Sequence, residues 1–406
     1  MDAQRYLING KVYPQHDPGL QEVLARVYGT PARPRCLCVD GGVEMYVSKF
    51  RDFVIKRMPE SGTEHAPTCP SYELPPSESG LGQLLGEAII DRGREGVELR
   101  LDFPLTRYQG RSRACALSAA PTEVAATRRQ LSLQGLLHYL WERAGFTRWH
   151  PQMRGKRSYG VVRKFLLQAC SDIETKGLPL RGRLVMPEPF VAEHAAEIAA
   201  RHRKAFAPLA AGGAPSRSNL MIAIGQVKAL APTTVGYQLV LKHLPDCPLF
   251  LELSTAERAK RAFEHELVAW ANGQVRLVAA CLIHARVEHC YEIDALSLMM
   301  TSPEWILLNH ISERDVVAKL VAEERAFIKP LRYDATDPAR FANYLLLDAG
   351  ARPLPLDIVS AFAHEADRRT KLDAIASRQP KGWVWDTARD AIVPELPPKA
   401  SPRAGG

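Results

Sequence analysis

The chain reads Arg35-Cys36-Leu37-Cys38-Val39-Asp40-Gly41-Gly42-Val43-Glu44-Met45-Tyr46-Val47 and, a little further on, His65-Ala66-Pro67-Thr68-Cys69. Between the two cysteine-bearing ends lie the runs Val43–Val47 and Phe53–Lys56, whose β-branched and aromatic content predicts an antiparallel hairpin. A hairpin returns its ends to one place, so Cys36 and Cys38 would face His65 and Cys69. Thiolate and imidazole are the donors zinc prefers, and four of them close a tetrahedron. The His-x-x-x-Cys half has ordinary ligand spacing, whereas Cys-x-Cys is tighter than the usual gap. The competing reading is that the cysteines are buried and pack as small apolar groups. Every other cysteine lies at Cys115 or beyond, and this clustering favours the metal. Four strong ligands leave no open position, so the expected role is a staple for a hairpin too small to hold itself shut.

Outward from that stretch the pattern predicts an α+β protein. Residues 1–105 form the zinc-stapled N-terminal module, with a helix carrying Leu20, Val23, Leu24 and Val27 after Asp17-Pro18-Gly19, and a strand over 98–105. Residues 106–130 turn small and polar and read as a linker or surface loop. A helical segment spans 131–182, with one helix on Leu133, Leu136, Leu137, Leu140 and Trp141 and a second over Tyr159–Ala169. Residues 183–310 form a mixed α/β domain with short apolar runs such as Val235–Leu241 and Val275–Ile283. A capping-box pattern of Ser254 and Glu257 opens a helix there. Residues 311–390 form an α/β C-terminal domain ordered helix, strand, strand, helix, strand. Its last pieces are Asn343–Leu347, Leu356–Phe362, Glu365–Ser377 and Gly382–Thr387. Residues 391–406, with Pro394, Pro397, Pro398 and Pro402, read as a disordered tail.

At 406 residues the chain is long for one core, and 46% hydrophobic with 24% charged residues is ordinary globular composition rather than a disordered one. The net charge of +8 favours anionic partners without naming one. The start, Met1-Asp2-Ala3-Gln4-Arg5-Tyr6, has no apolar run behind basic residues, and no uncharged stretch is long enough for a bilayer. The expectation is a cytoplasmic protein without a membrane partner. Its eight cysteines would then be thiols or metal ligands.

Between Arg143 and Lys164 stand seven basic residues and no acidic one: Arg143, Arg148, Arg154, Lys156, Arg157, Arg163 and Lys164. They are interleaved with Trp149, His150 and Tyr159. Guanidinium groups meet phosphates and flat rings stack on bases, so the composition suits DNA or RNA. The flanking helices allow a helix–turn–helix-like arrangement, with Trp149 as the stacking ring. A solvated basic face, or a surface for an acidic protein partner, uses the same residues. A second group, Cys281, His284, His289 and Cys290, has strand spacing, which puts neighbours on opposite faces and argues against a metal site.

Several separated motifs together resemble one family. They are the Cys36 and His65 segments, Gly80-Leu81-Gly82-Gln83, Leu136-Leu137-His138-Tyr139-Leu140-Trp141 and Phe327-Ile328-Lys329-Pro330-Leu331-Arg332-Tyr333. In matching order over nearly the whole chain, they resemble the bacterial domain of unknown function 1173 family. That resemblance implies a setting on plasmids and integrating conjugative elements, and no settled activity.

The C-terminal part is more distantly similar to PD-(D/E)XK nucleases, and the cysteine module before it to CoiA-like proteins. This implies a restriction-endonuclease-like fold in which Asp and Glu-x-Lys on adjacent strands hold magnesium. The matching positions here are Asn343 and Asp357-Ile358-Val359, so Asn replaces one carboxylate and Val the lysine. Glu323 or Glu324, Asp348 and Lys371 are the residues that would compensate. The reading is therefore a zinc-containing, nucleic-acid-associated accessory protein of a mobile element. A degenerate magnesium-dependent nuclease and an adaptor for an acidic partner are the rivals.

Overall fold

Alternation builds the N-terminal sheet: Tyr6, Ile8, Cys36, Val43 and Met45 turn inward, while Arg5, Arg35 and Glu44 face solvent. The computed structural model describes residues 4–49, 52–108, 116–117, 130–210, 217–287, 290–379 and 381–400. Strands β1 (Arg5–Ile8), β2 (Lys11–Pro14), β3 (Arg35–Cys36), β4 (Val43–Lys49) and β5 (Phe53–Arg57) pair antiparallel in the order β2-β1-β3-β4-β5. The expected hairpin is β4–β5, in register from Met45 opposite Arg57 to Lys49 opposite Phe53. Helix α1 (Leu20–Val27) buries Leu20, Leu24 and Val27 in the same small core. That core is completed from far along the chain by Ala326, Ile328 and Leu347.

The middle of the molecule is a closed ring of strands. Five of them, Met221–Thr233, Gly236–Leu241, Leu244–Glu252, Arg276–Val287 and Cys290–Thr301, are here called the first to fifth barrel strands. First pairs second, second pairs third, and fourth pairs both fifth and first, all antiparallel. Third and fifth pair in parallel through Leu249–Tyr291 and Phe250–Glu292, which closes the circle. The first strand serves two neighbours, its start on the fourth and its end on the second, and it turns through a bulge between Val227 and Ala229. Gly225 stands just before that bulge, where a Cβ would lie 3.1 Å from Leu241 Cδ1, so a larger residue would press into the barrel interior.

Ala223, Leu239, Leu249, Leu277 and Leu298 fill that interior. The outer face of the first, fourth and fifth strands is covered as well. Ile222, Ile224, Val278, Ala280 and Met299 share a second core with α2 (Leu133–Arg143) and α3 (Tyr159–Ala169). Helix α4 (Ala195–Ala210) packs Phe206 face to face with Tyr291, and α5 (Leu253–Ala262) and α6 (Glu264–Ala271) connect the third strand to the fourth. The capping box expected from Ser254 and Glu257 does not form. Helix α5 starts at Leu253 with no side-chain cap, and Glu257 pairs with Lys260 instead.

The last unit runs α7 (Glu313–Ala322), strands Phe327–Ile328, Tyr344–Leu346 and Leu354–Val359, α8 (Glu365–Ser377) and strand Trp383–Asp386. The first three strands are antiparallel and the last is parallel to its neighbour. The strand Phe327–Ile328, missing from the sequence reading, has an outer partner in Arg148–Trp149. The basic segment is therefore woven into the C-terminal sheet, and a strand stands where a helix–turn–helix would need a turn. Sheet limits do not follow the boundaries drawn at 131, 183 and 311.

Residues 391–400 depart from the expected disorder. Pro397 O accepts from Arg325, Glu395 O from Trp383, and Ala400 N donates to Asp348 O, while Val393 and Leu396 pack on the main core. Most of the 106–130 linker, and residues 401–406, lie outside the described residues. Among the described residues no helix is long and apolar enough to cross a membrane.

Candidate metal centre

The hairpin does what its ends require. Cys36 ends β3, Cys38 follows in the turn, and the chain leaving β5 passes through a short helical turn, Ser61–Glu64, before presenting His65 and Cys69. One donor atom from each of Cys36, Cys38, His65 and Cys69 lies within 4.8 Å of all the others. Cys36 Sγ and Cys69 Sγ are 3.7 Å apart, and His65 Nδ1 is 3.2 Å from Cys38 Sγ and 3.7 Å from Cys69 Sγ. A tetrahedral ion with about 2.3 Å bonds to sulfur and about 2.0–2.1 Å to nitrogen separates sulfurs by about 3.8 Å and sulfur from nitrogen by about 3.5 Å. These three distances lie within about 0.3 Å of those values, and every other donor pair is within 4.8 Å. They can hold a metal ion, and the donor set is compatible with zinc.

Donors around the sulfurs suit anionic thiolates. Gln4 Nε2 reaches Cys36 Sγ at 3.2 Å and Cys69 Sγ at 3.5 Å. The amides of Ala66 and Ser71 point at Cys38 and Cys69. Without a cation the sulfurs compete for protons: hydrogen bonds from Cys38 and then Cys69 pull the Cys36 thiol far down, while Cys38 and Cys69 are pushed up. A divalent ion removes that competition.

The sequence-predicted basic residues do not gather on one face. Arg143 pairs with Asp172 at 2.6 Å. Arg148 turns its guanidinium onto four main-chain carbonyls of the metal loop, those of Pro67, Cys69, Pro70 and Tyr72. Trp149 is 1% exposed, stacked on Phe327 and covered by Arg157, so its ring is a core residue and cannot meet a base. Arg157 donates to the carbonyls of Gly145, Phe146, Arg148 and Glu304, and burial lowers its pKa to about 10. Arg163 donates to Met186 O. Arg154, Lys156 and Lys164 are exposed. The sequence signal counted charges correctly and could not tell solvated ones from those spent on carbonyls.

Two of the candidate C-terminal carboxylates, Asp357 and Asp348, are held by basic groups. Asp357, 1% exposed, receives Lys371 Nζ at 2.7 Å and Arg378. Asp348 receives Arg325 at 2.9 Å, and Glu324 is exposed on a left-handed turn ending α7. Asn343 bonds Ile358 N through Oδ1 and Glu313 through Nδ2.

Sequence reading missed Glu313 and Lys329, which meet at 2.8 Å with no exposed side-chain surface; Tyr344 also donates to Glu313. Burial lowers the Lys329 pKa to about 8. Lys329 stands in one of the family motifs, but a Glu three residues after His310 and a Lys inside an apolar run are too common to mark as a pair. Among the described residues, the Cys36, Cys38, His65 and Cys69 set is the only group of three or more metal-binding side chains brought together. Of the second Cys/His group, Cys281 lies in the barrel interior and His284 meets Asp294 at 3.3 Å on the outer face, while His289 lies outside the described residues. An open cleft of about 320 Å³ beside Ser312 and Phe362 is lined by none of the predicted site residues.

Searches of curated proteins and of solved structures return no match. A family profile described as "Protein of unknown function (DUF1173)" matches residues 6–388, from β1 to just past the final strand of the C-terminal sheet. The chain belongs to that family.

Proposed function

We propose that the protein is a zinc-containing, nucleic-acid-binding accessory protein, working on a mobile element and binding without cutting. The observation that carries this is the barrel. Its ring order, first-second-third-fifth-fourth, has a parallel third–fifth pair and helices between the third and fourth strands, which is the connectivity of the OB fold. Barrels of that kind bind oligonucleotides or oligosaccharides on the outer face of the second and third strands.

Fold alone does not choose a ligand, so the side chains must. On that face Leu239, Leu241, Leu249 and Leu251 point inward, which turns Gln238, Val240 and Phe250 outward, partly exposed. Lys242 continues the outward row and Lys228 stands in the bulge beside it, both exposed. Two ammonium groups beside a ring and an amide fit a phosphate backbone with stacked bases better than a sugar chain.

The nuclease reading finds support in element order alone. Helix, three antiparallel strands, helix and a parallel strand follow the restriction-endonuclease pattern, yet Lys371 and Arg378 occupy Asp357 where magnesium would have to bind. For the adaptor reading, Arg154, Lys156 and Lys164 remain as exposed charge.

The experiment is a salt titration of binding to short single-stranded DNA and RNA, with a magnesium cleavage assay alongside. Binding should weaken steeply with salt, and Lys228→Ala with Lys242→Ala should flatten the log–log slope by about 1.4, at about 0.7 per phosphate contact. No binding at low salt would remove this reading in favour of the adaptor. Magnesium-dependent cleavage would replace it with the nuclease.

A further inference from the structure

We propose that Arg148 is a positioning residue for the metal centre, and that through it metal occupancy is coupled to the order of the C-terminal sheet. The proposal rests on the metal-site part of the reading above, not on nucleic-acid binding.

Arg148 is distant in sequence from every ligand and belongs to another sheet, in which it pairs with Ile328. Its side chain nevertheless closes the loop that carries two ligands. Nη1 donates to Tyr72 O at 2.7 Å and Pro70 O at 3.4 Å; Nη2 donates to Cys69 O at 2.5 Å and Pro67 O at 3.1 Å. These carbonyls bracket Cys69, so the planar fork fixes the direction from which its sulfur approaches. Lysine has one nitrogen and no such fork. A second effect is charge: three thiolates around a divalent ion leave a net negative centre, and Arg148 brings a partly buried positive group beside it. Groups behind the ligands that orient them and balance their charge commonly change metal affinity by about 10–100-fold when removed.

The coupling runs the other way as well. Arg148 O is held by Arg157, Thr147 O accepts from Lys329 N, and Ile328 lies in the core that contains Cys36 and Cys69. A metal loop that loses its ion loses the carbonyl array that holds the Arg148 fork. The edge pair Arg148–Trp149 with Phe327–Ile328 then loosens.

The test uses the full-length protein loaded with zinc, and a chelator challenge followed by a colorimetric indicator. Arg148→Ala should release zinc at least about tenfold faster than wild type, Arg148→Lys should fall between, and Arg163→Ala, whose partner is the Met186 carbonyl, should match wild type. Equal release rates for wild type and Arg148→Ala would overturn the positioning role. Should Arg148→Ala fail to fold, the Lys variant gives the same decision, since an unchanged rate there removes the need for the fork.

Hydrogen exchange on wild type, with and without zinc, tests the coupling. Faster exchange is expected in 4–74, 146–150 and 325–330, and none of that change in 221–287. A change confined to 4–74 would overturn the coupling. If wild type binds no zinc at all, the metal reading itself is wrong, an outcome distinct from either of these.

Discussion

The N-terminal module and the C-terminal unit each gather ionisable side chains at the heart of a small sheet, and they resolve the charge in opposite ways. In the first, three sulfurs and an imidazole converge within 4.8 Å, and the guanidinium beside them, Arg148, bonds main-chain carbonyls rather than the sulfurs. In the second, Glu313 and Asp357 already have their cations: Lys329 on Glu313, and Lys371 with Arg378 on Asp357. A set of donors that cannot satisfy one another calls for an ion from outside. A carboxylate already bound by ammonium and guanidinium does not, because a metal would have to displace a buried pair. Donor count alone would rank the two regions alike, and what separates them is the presence of an internal counter-charge.

The comparison breaks most visibly at the metal. Cys69→Ser should lose the ion and unfold the N-terminal module, because a hairpin with so small a core depends on its staple. Elemental analysis should find about one zinc per wild-type chain and close to none in the variant, with proteolysis of residues 4–74 rising sharply. Full metal content in a Cys36→Ser, Cys38→Ser double variant would show that these sulfurs are packing groups.

Next in size is the C-terminal pair. Asp357→Ala leaves the buried Lys371 and the partly buried Arg378 without their partner, and removing one member of such a pair costs about 3–5 kcal/mol. The loss should appear in the urea midpoint, with no magnesium-dependent cleavage in either protein. A variant as stable as wild type would mean that the ion pair adds nothing. Cleavage by wild type and not by a folded variant would turn the site into a catalytic one.

Both regions were partly readable beforehand. The ligand set was legible because four rare donor residues bracket a strong hairpin pattern, and α3 and α8 because their apolar or polar periodicity runs uninterrupted between clear ends. The barrel was not. Ile222, Ile224, Val278 and Ala280 are buried outside the ring as firmly as Ala223 and Ala279 are inside it, so strands covered on both faces lose the alternation that marks a half-exposed sheet. Closure also depends on a parallel pairing between Leu249 and Tyr291 that no local pattern records. The short strands Arg148–Trp149 and Phe327–Ile328 are made by tertiary pairing, which is why Trp149 looked like a surface ring and is a core one. The family motifs do converge: Gly80 N bonds Leu331 O, a Cβ at Gly80 would strike Arg332 O at 2.1 Å, and His138 meets Tyr333 edge-on. Their agreement in sequence reflects a packing junction at least as much as a site.

Glu142 sharpens the comparison from a third position, with the smallest expected effect. It is a carboxylate without an internal cation: its hydrogen-bond partner is the Tyr333 hydroxyl, and burial raises its pKa to about 7, whereas Glu313 beside Lys329 is lowered. A folded-state pKa above the unfolded value means that the folded protein holds the extra proton between about pH 4.5 and 7. The stabilising contribution is therefore complete below pH 4.5 and lost as pH rises through 7. Glu142→Gln removes the titration and keeps the shape. Its stability relative to wild type should improve on going from pH 5 to pH 8, by on the order of 1 kcal/mol, because the side chain is only partly buried and water screens part of the burial cost. Urea midpoints of both proteins at the two pH values measure this directly. A difference that stays constant from pH 5 to pH 8 would mean that Glu142 titrates alike in the folded and unfolded chain, and that a missing internal cation is no guide to where this fold stores unbalanced charge.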